Sequence, residues 1–416
     1  MTTIRPFAGI RPAPQYAKDV AALPYDVMNS EEAREMVKNK PLSFLHIDRG
    51  EIDLPEGTDP HSPEVYEKAK ETFRRFVDRE IFIQDEEPRL YIYRLTMDGR
   101  VQTGLVVCTS IDEYLNNTIK KHEFTRADKE ADRIRHVDTL NANTGPIFLA
   151  YKENHDARAI LEGWTASHAP IYDFVAEDGI THTAWVIDSE TEISMLTESF
   201  RHVDSLYIAD GHHRNASAVK VGLKRREAHP NYTGKEEFNY YLSVLFPADE
   251  LFILDYNRLV KDLNGHSEED FLAKVQEKFV LTPHAEKSPV HPPKPHSFGM
   301  YLSGKWYLME AKEEILSDHP VDGLDVSILQ RELLTPILAI GDPRTDKRID
   351  FVGGIRGLGE LEKRVDSGEM RLAFSMYPTS MDELMATADA ELTMPPKSTW
   401  FEPKLRSGLF IHDLGE

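Results

Sequence analysis

The sequence holds one cysteine in 416 residues, Cys108, which excludes a disulfide within the chain and any cysteine-rich zinc site. That residue closes the apolar run Leu105-Val106-Val107-Cys108 and reads as a core thiol on a strand. No window approaches the roughly 18 consecutive apolar residues of a membrane span. The opening Met1-Thr2-Thr3-Ile4-Arg5-Pro6-Phe7 lacks a signal-peptide core. Positive charge is scarce: 49 Lys and Arg stand against 71 Asp and Glu, a net charge of −22. Such a surface repels phosphate backbones, so nucleic acid is not expected as a partner, although a focused positive pocket remains open. There is no G-x-x-x-x-G-K-S/T phosphate loop, no H-E-x-x-H zinc helix, and no repeat at a solenoid period. The cluster Gly353-Gly354-Ile355-Arg356-Gly357-Leu358-Gly359 follows a strand but breaks the G-x-G-x-x-G order, and reads as a turn and helix start. With 40% hydrophobic and 29% charged residues, the expectation is a folded cytoplasmic protein with no membrane partner; small-molecule substrates are the expected partners, and a homodimer is left open.

What is present points to a mixed α/β protein. Asn29-Ser30-Glu31-Glu32 marks a helix start, and Tyr66, Ala69, Phe73 and Phe76 fall at helical spacing within 62–77. Strands are expected over 89–95 and 102–111, joined by the turn pair Asp98-Gly99. A polar helix over 126–140 precedes a buried strand over 147–151, and further strands are expected at 183–187 and 205–208. Pro289, Pro292, Pro293 and Pro295 suggest a connection over 284–297 between a first domain, 1–283, and a second mixed α/β domain, 298–416. In the second, the pattern predicts a strand over 300–308, a helix over 325–340 interrupted at Pro336, and strand, helix and strand at 349–352, 357–365 and 371–376.

Four groups of residues carry candidate chemistry. Ala209-Asp210-Gly211-His212-His213-Arg214 joins an apolar strand to a helix, so backbone amides at the turn suit an anion. Asp210 suits Mg²⁺ or a hydroxyl proton there. The plainer alternative is an N-cap aspartate with surface histidines. Lys120-Lys121-His122-Glu123-Phe124-Thr125-Arg126, continuing to Lys129, Asp132 and Arg133, concentrates cations after a strand, as a phosphate clamp or a solvated helix face. Met394-Pro395-Pro396-Lys397-Ser398-Thr399-Trp400-Phe401-Glu402-Pro403-Lys404 is a proline-stiffened loop, suited to binding or to packing its aromatics. Pro24-Tyr25-Asp26-Val27 with Glu31 and Glu32 is either a carboxylate site or simple capping.

Asp210-Gly211-His212-His213-Arg214 resembles the G-x-x-R phosphate motif of the ParB/sulfiredoxin-like superfamily, in the D-G-H-x-R form of free-serine kinases. Together with Pro24-Tyr25-Asp26-Val27, Lys121-His122-Glu123-Phe124-Thr125, Asn141-Ala142-Asn143-Thr144-Gly145-Pro146 and the 397–404 loop, it makes the whole chain resemble the DUF1015 family. The resemblance implies a ParB/sulfiredoxin-like phosphate-binding core and a phosphoryl donor (ATP, ADP or pyrophosphate) lying against the Gly211–Arg214 turn, with Mg²⁺. It implies a phosphotransferase acting on free L-serine or a similar hydroxyl compound, with Asp210 as base or metal ligand and His212 and Glu31, or Glu32, as catalytic partners. Gly211, His213 and Arg214, opposed by Lys121, His122 and Arg126 and closed by Lys397, Ser398 and Lys404, would hold the donor. Tyr25, Asp26, Glu123 and Thr125 would hold the acceptor. The alternatives are a nucleotide-binding switch without transfer activity, and a phosphohydrolase using tightly bound Mn²⁺, Fe or Zn²⁺ near Asp210.

Overall fold

A computed structural model describes residues 1–125, 127–286 and 288–415. They form two compact units: Met1–Leu251 with Pro403–Glu416, and Phe252–Glu402. The division therefore falls at 252 and 403, not in the proline-rich stretch at 284–297, and the second unit is an insertion within the first. Antiparallel pairing of Ile253–Leu254 with Trp400–Phe401 brings the two ends of the inserted unit side by side. Close ends are what allow a domain to be inserted into another chain.

The first unit is built on a mixed sheet. Its strands in chain order are β1 (Ile4–Arg5), β2 (Leu90–Met97), β3 (Arg100–Ser110), β4 (Ile119–Lys120), β5 (Ile147–Tyr151), β6 (Tyr172–Val175), β7 (Thr181–Ile187), β8 (Leu206–Asp210) and β9 (Tyr240–Pro247). Their spatial order is β4-β8-β5-β9-β3-β2-β7-β6, with β1 paired to β3. The β2–β3 hairpin turns at Asp98 and Gly99, both at positive φ, as the Asp-Gly pair foretold. Central strands are continuous apolar runs because helices cover the sheet, and Cys108 is fully buried on β3.

The flanking helices follow the sequence closely. They are α1 (Ser30–Met36), α2 (Pro63–Asp78), α3 (Ala127–Leu140), α4 (His155–Ser167), α5 (Glu190–Phe200) and α6 (His212–Ala228). Asn29 and Glu32 form a capping box at α1, and α2 turns Val65, Tyr66, Ala69, Phe73 and Phe76 inward. Among the described residues, no helix is long and apolar enough to cross a membrane.

The second unit carries a six-stranded sheet in which every described pairing is antiparallel. Residues 284–296 join Phe279–Pro283 to Ser297–Leu302, two strands that both pair with Lys305–Ala311. The segment is packed rather than a free linker: Val290 is buried and its carbonyl accepts from the Ser375 hydroxyl at 2.6 Å. The single strand expected over 300–308 is a hairpin, because Ser303 and Gly304 adopt positive φ and turn the chain. The helix expected over 325–340 is confined to Asp325–Leu329 and a wider turn, Gln330–Leu334; Thr335 keeps helical angles, but Pro336 has no N–H with which to continue the ladder.

Candidate functional site

The strand β8 and helix α6 meet at Asp210-Gly211-His212. The ladder between β5 and β8 slips by one residue between Ile208 and Asp210, and such a bulge re-aims the side chain that follows it. Gly211 sits at φ +93, which an L side chain enters only with strain, and a Cβ there would meet the Arg214 guanidinium at 3.2 Å. The first turn of α6 holds no acidic residue and Gly211 offers no side-chain cap. Its amides therefore keep the anion preference of a helix N-terminus.

Asp210 lies between two cations. Arg214 Nη2 donates to its Oδ2 at 3.2 Å, and Lys404 Nζ stands 3.6 Å from its Oδ1. The Arg214 and Lys404 side chains are each 10% exposed and that of Asp210 is 31% exposed, so the carboxylate alone reaches solvent appreciably. Burial works against its charge, but Lys404, Arg214 and the Gly211 amide outweigh it and hold the carboxyl below its usual range. Arg214 also donates to the Pro146 carbonyl at 2.6 Å, while its Nε has no partner among the described residues. Burial opposes the guanidinium charge too, and Asp26, Asp210, Tyr25 and Asp48 sustain it. Beneath it lies a cavity of ≈ 30 Å³ lined by Tyr25, Asp48, Arg133, Thr144 and Arg214 among others. That volume suits a single water.

A second cluster stands beside this turn. Strands β4 and β8 run parallel, with Ile119 opposite Leu206 and Lys120 opposite Tyr207, so both deliver their next residues at the same end of the sheet. His122 and His212 meet edge to face with ring centroids 4.5 Å apart. Glu123 Oε2 is 3.8 Å from His212 Nδ1. Both rings are buried. Burial pushes His122 down to about 4, against Asp210 and the Ile208 carbonyl, which lies near the ring outside hydrogen-bond geometry. Burial, with His122, His213 and Lys121, pushes His212 well below its ordinary value. Among the described residues, neither ring nitrogen of His122, nor Nε2 of His212, has a hydrogen-bond partner. Each such orphan costs about 1–3 kcal/mol.

The other expected site residues divide. Tyr25 is buried with Arg133 stacked 4.0 Å over its ring, and Arg49 donates to its carbonyl; Asp26 is exposed nearby. Lys121 is exposed and places its ammonium 4.2 Å over the Tyr114 ring. Thr125 donates to Glu130, which also pairs with Lys220, so its hydroxyl is engaged at the start of α3. His213 is half-buried on α6. Arg126 lies outside the described residues. Glu31 is exposed in the first turn of α1, and no hydrogen bond or ion pair described here joins it to Asp210; Glu32 caps the same helix. Lys397 and Ser398 belong to the second unit, apart from Lys404 in the first. There Ser398 donates to Pro395 at 2.6 Å, and the Lys397 ammonium lies over Tyr256. Sequence reasoning missed Asp48 and Thr144 as lining residues, and named Arg133 only as part of the clamp run. Arg133 sat inside a charge run and Thr144 inside the 141–146 segment, so only their signals, not their convergence, were visible.

Residues 4–327 match the family described as protein of unknown function (DUF1015). The chain belongs to that family. Over 167 residues, 36% of the chain and 78% of the relative, it is 23% identical to the large ribosomal subunit protein mL67 of Yarrowia lipolytica. Among solved structures, a free serine kinase in complex with AMP is similar at 14% identity and a TM-score of 0.37, covering 75% of this chain and 91% of that one. A C-terminally truncated SbnI from Staphylococcus aureus is similar at 11% identity and a TM-score of 0.38, covering 74% and 87%. In this DUF1015 protein the site is assembled by strand ends, one helix terminus and the final segment of the chain.

Proposed function

We propose that the protein is a phosphotransferase that moves a phosphoryl group from a nucleotide or pyrophosphate donor to the hydroxyl of a small molecule such as free L-serine. The observation that carries this reading is Asp210, held ionised between Arg214 and Lys404 at the mouth of a 17-residue helix whose first turn holds no acid. Phosphoryl transfer needs placement and charge neutralisation more than covalent chemistry. The amides at Gly211–His213, with Arg214 and Lys404, take the donor phosphates. Asp210 orients the acceptor hydroxyl and takes its proton as the new P–O bond forms and the donor's P–O bond breaks. An ionised carboxylate is the hard oxygen ligand Mg²⁺ accepts, so Asp210 fits that ion, which would neutralise donor phosphate charge when bound. Tyr25 and Asp26, which face Arg214 electrostatically, are assigned to the acceptor side. Burial disfavours the charged form of the His122 and His212 imidazoles, so Arg214 and Lys404 are assigned the positive charge that meets the phosphates.

Phosphorus NMR tests the reading with Mg²⁺, L-serine and ATP, ADP or pyrophosphate in separate samples. A phosphomonoester signal that requires the acceptor is expected with one donor. Donor loss to free phosphate regardless of acceptor would replace the reading with hydrolysis, and an unchanged spectrum with a nucleotide switch.

A further inference from the structure

We infer that His122, Glu123 and His212 form a site for one divalent first-row transition metal ion, of the class running from Fe²⁺ to Zn²⁺ and distinct from any Mg²⁺ that accompanies a nucleotide. One ligand atom from each residue lies within 4.8 Å of the others. Metal–ligand bonds of roughly 2.0–2.2 Å place such atoms about 3–3.5 Å apart, a separation that small side-chain rotations supply here. Two imidazoles and one carboxylate suit late first-row ions, whereas Mg²⁺ prefers oxygen. Three protein ligands also leave a position open for water or substrate, as catalytic sites of this kind do.

The decisive contrast is with the other buried histidines of the same chain. His136 bonds the Ile47 carbonyl at 3.0 Å, His182 bonds the Tyr93 hydroxyl at 2.7 Å, and His412 bonds Glu237 at 2.8 Å. Among the described residues, nothing satisfies either nitrogen of His122, 2% exposed, or Nε2 of His212, 6% exposed. Buried polar atoms are almost always paired, and an orphan calls for a missing partner. Here two buried rings with orphaned nitrogens meet beside one carboxylate, His122 and Glu123 just past the end of β4 and His212 at the start of α6 after β8. One cation takes one nitrogen from each ring together with the carboxylate.

This inference stands apart from the phosphotransferase reading. The full-length protein, stripped with a chelator, is titrated with Zn²⁺ or Co²⁺ without nucleotide, and bound metal is measured by elemental analysis after gel filtration. One equivalent per chain and a visible ligand-field absorption with Co²⁺ are expected. His122→Ala and His212→Ala should each lower affinity at least ten-fold, and Asp210→Asn should retain the ion. Glu123→Gln, an isostere at a half-exposed position, should weaken binding while leaving the melting temperature of the metal-free protein unchanged. A wild-type chain that retains no ion, triad variants that bind like wild type, or loss of metal from Asp210→Asn would each overturn the assignment. A chain that binds the ion yet transfers nothing rejects only the phosphotransferase, and one that transfers without binding the ion rejects only the metal site.

Discussion

At the scale of single residues, Asp210 is defined by its neighbours. A carboxylate at a strand end would ordinarily be a cap or a surface group, but Arg214 and Lys404 hold this one ionised and oriented. Asp210→Asn keeps the shape, removes the charge, and is expected to abolish phosphoryl transfer while leaving circular dichroism unchanged. Unchanged turnover by phosphorus NMR would remove Asp210 from the reaction. Lys404→Met leaves Arg214 as the single cation bonded to Asp210 among the described residues, so the Asp210 pKa should rise. Turnover should fall by about two orders of magnitude, the usual effect of losing one preorganised charge partner.

At the scale of elements, the β8–α6 turn and helix α3 decide how the site holds its form. Gly211→Ala forces an L residue to φ +93, at a cost of roughly 1–2 kcal/mol, and its Cβ presses on the Arg214 guanidinium. Denaturant midpoints should show that cost, and donor affinity should fall more than stability alone explains. On α3, Asp132 accepts from Arg133 at 2.7 Å, Tyr66 at 2.8 Å and His61 at 3.1 Å. Burial tends to raise its pKa, but Arg133 and these donors hold it at about 2. Because the folded value lies below the unfolded one, about 3.9, its contribution is complete above pH 4 and is lost as pH falls towards 2. That contribution is roughly 2–3 kcal/mol. Asp132→Asn should flatten the stability profile between pH 4 and 2. It should also cost about 3–5 kcal/mol at pH 7 by leaving Arg133 buried without its carboxylate, beside the Tyr25 ring it stacks on.

At the scale of the whole molecule, the chain completes its first unit only by returning to it. After the inserted unit, Ser407 pairs with Ala22, Ile411 with Ile10, and His412 with Asn143, and this last segment carries Lys404 to Asp210. A chain ending at Glu402 should therefore lose transfer activity and melt earlier, which calorimetry and phosphorus NMR would record together. The segment Phe252–Glu402, with its own sheet and core, is expected to unfold cooperatively when expressed alone. A broad, non-cooperative melt would show that it depends on the rest of the chain.

Local chemistry alone determined much of this protein. Helix periodicity placed α2, the Asp98-Gly99 pair placed the first hairpin, and the apolar run into Asp210-Gly211-His212 placed the strand-to-helix turn, because each depends on neighbours within a few residues. Tertiary structure decided the partnerships. Lys397 and Lys404 sit in one loop of the sequence, yet the Trp400–Phe401 pairing with Ile253–Leu254 leaves the first in one unit and the second against Asp210. His122 and His212 are brought together by the parallel pairing of β4 with β8. No local signal encodes such a pairing, since it rests on which strands share a sheet and on the core that forms between them.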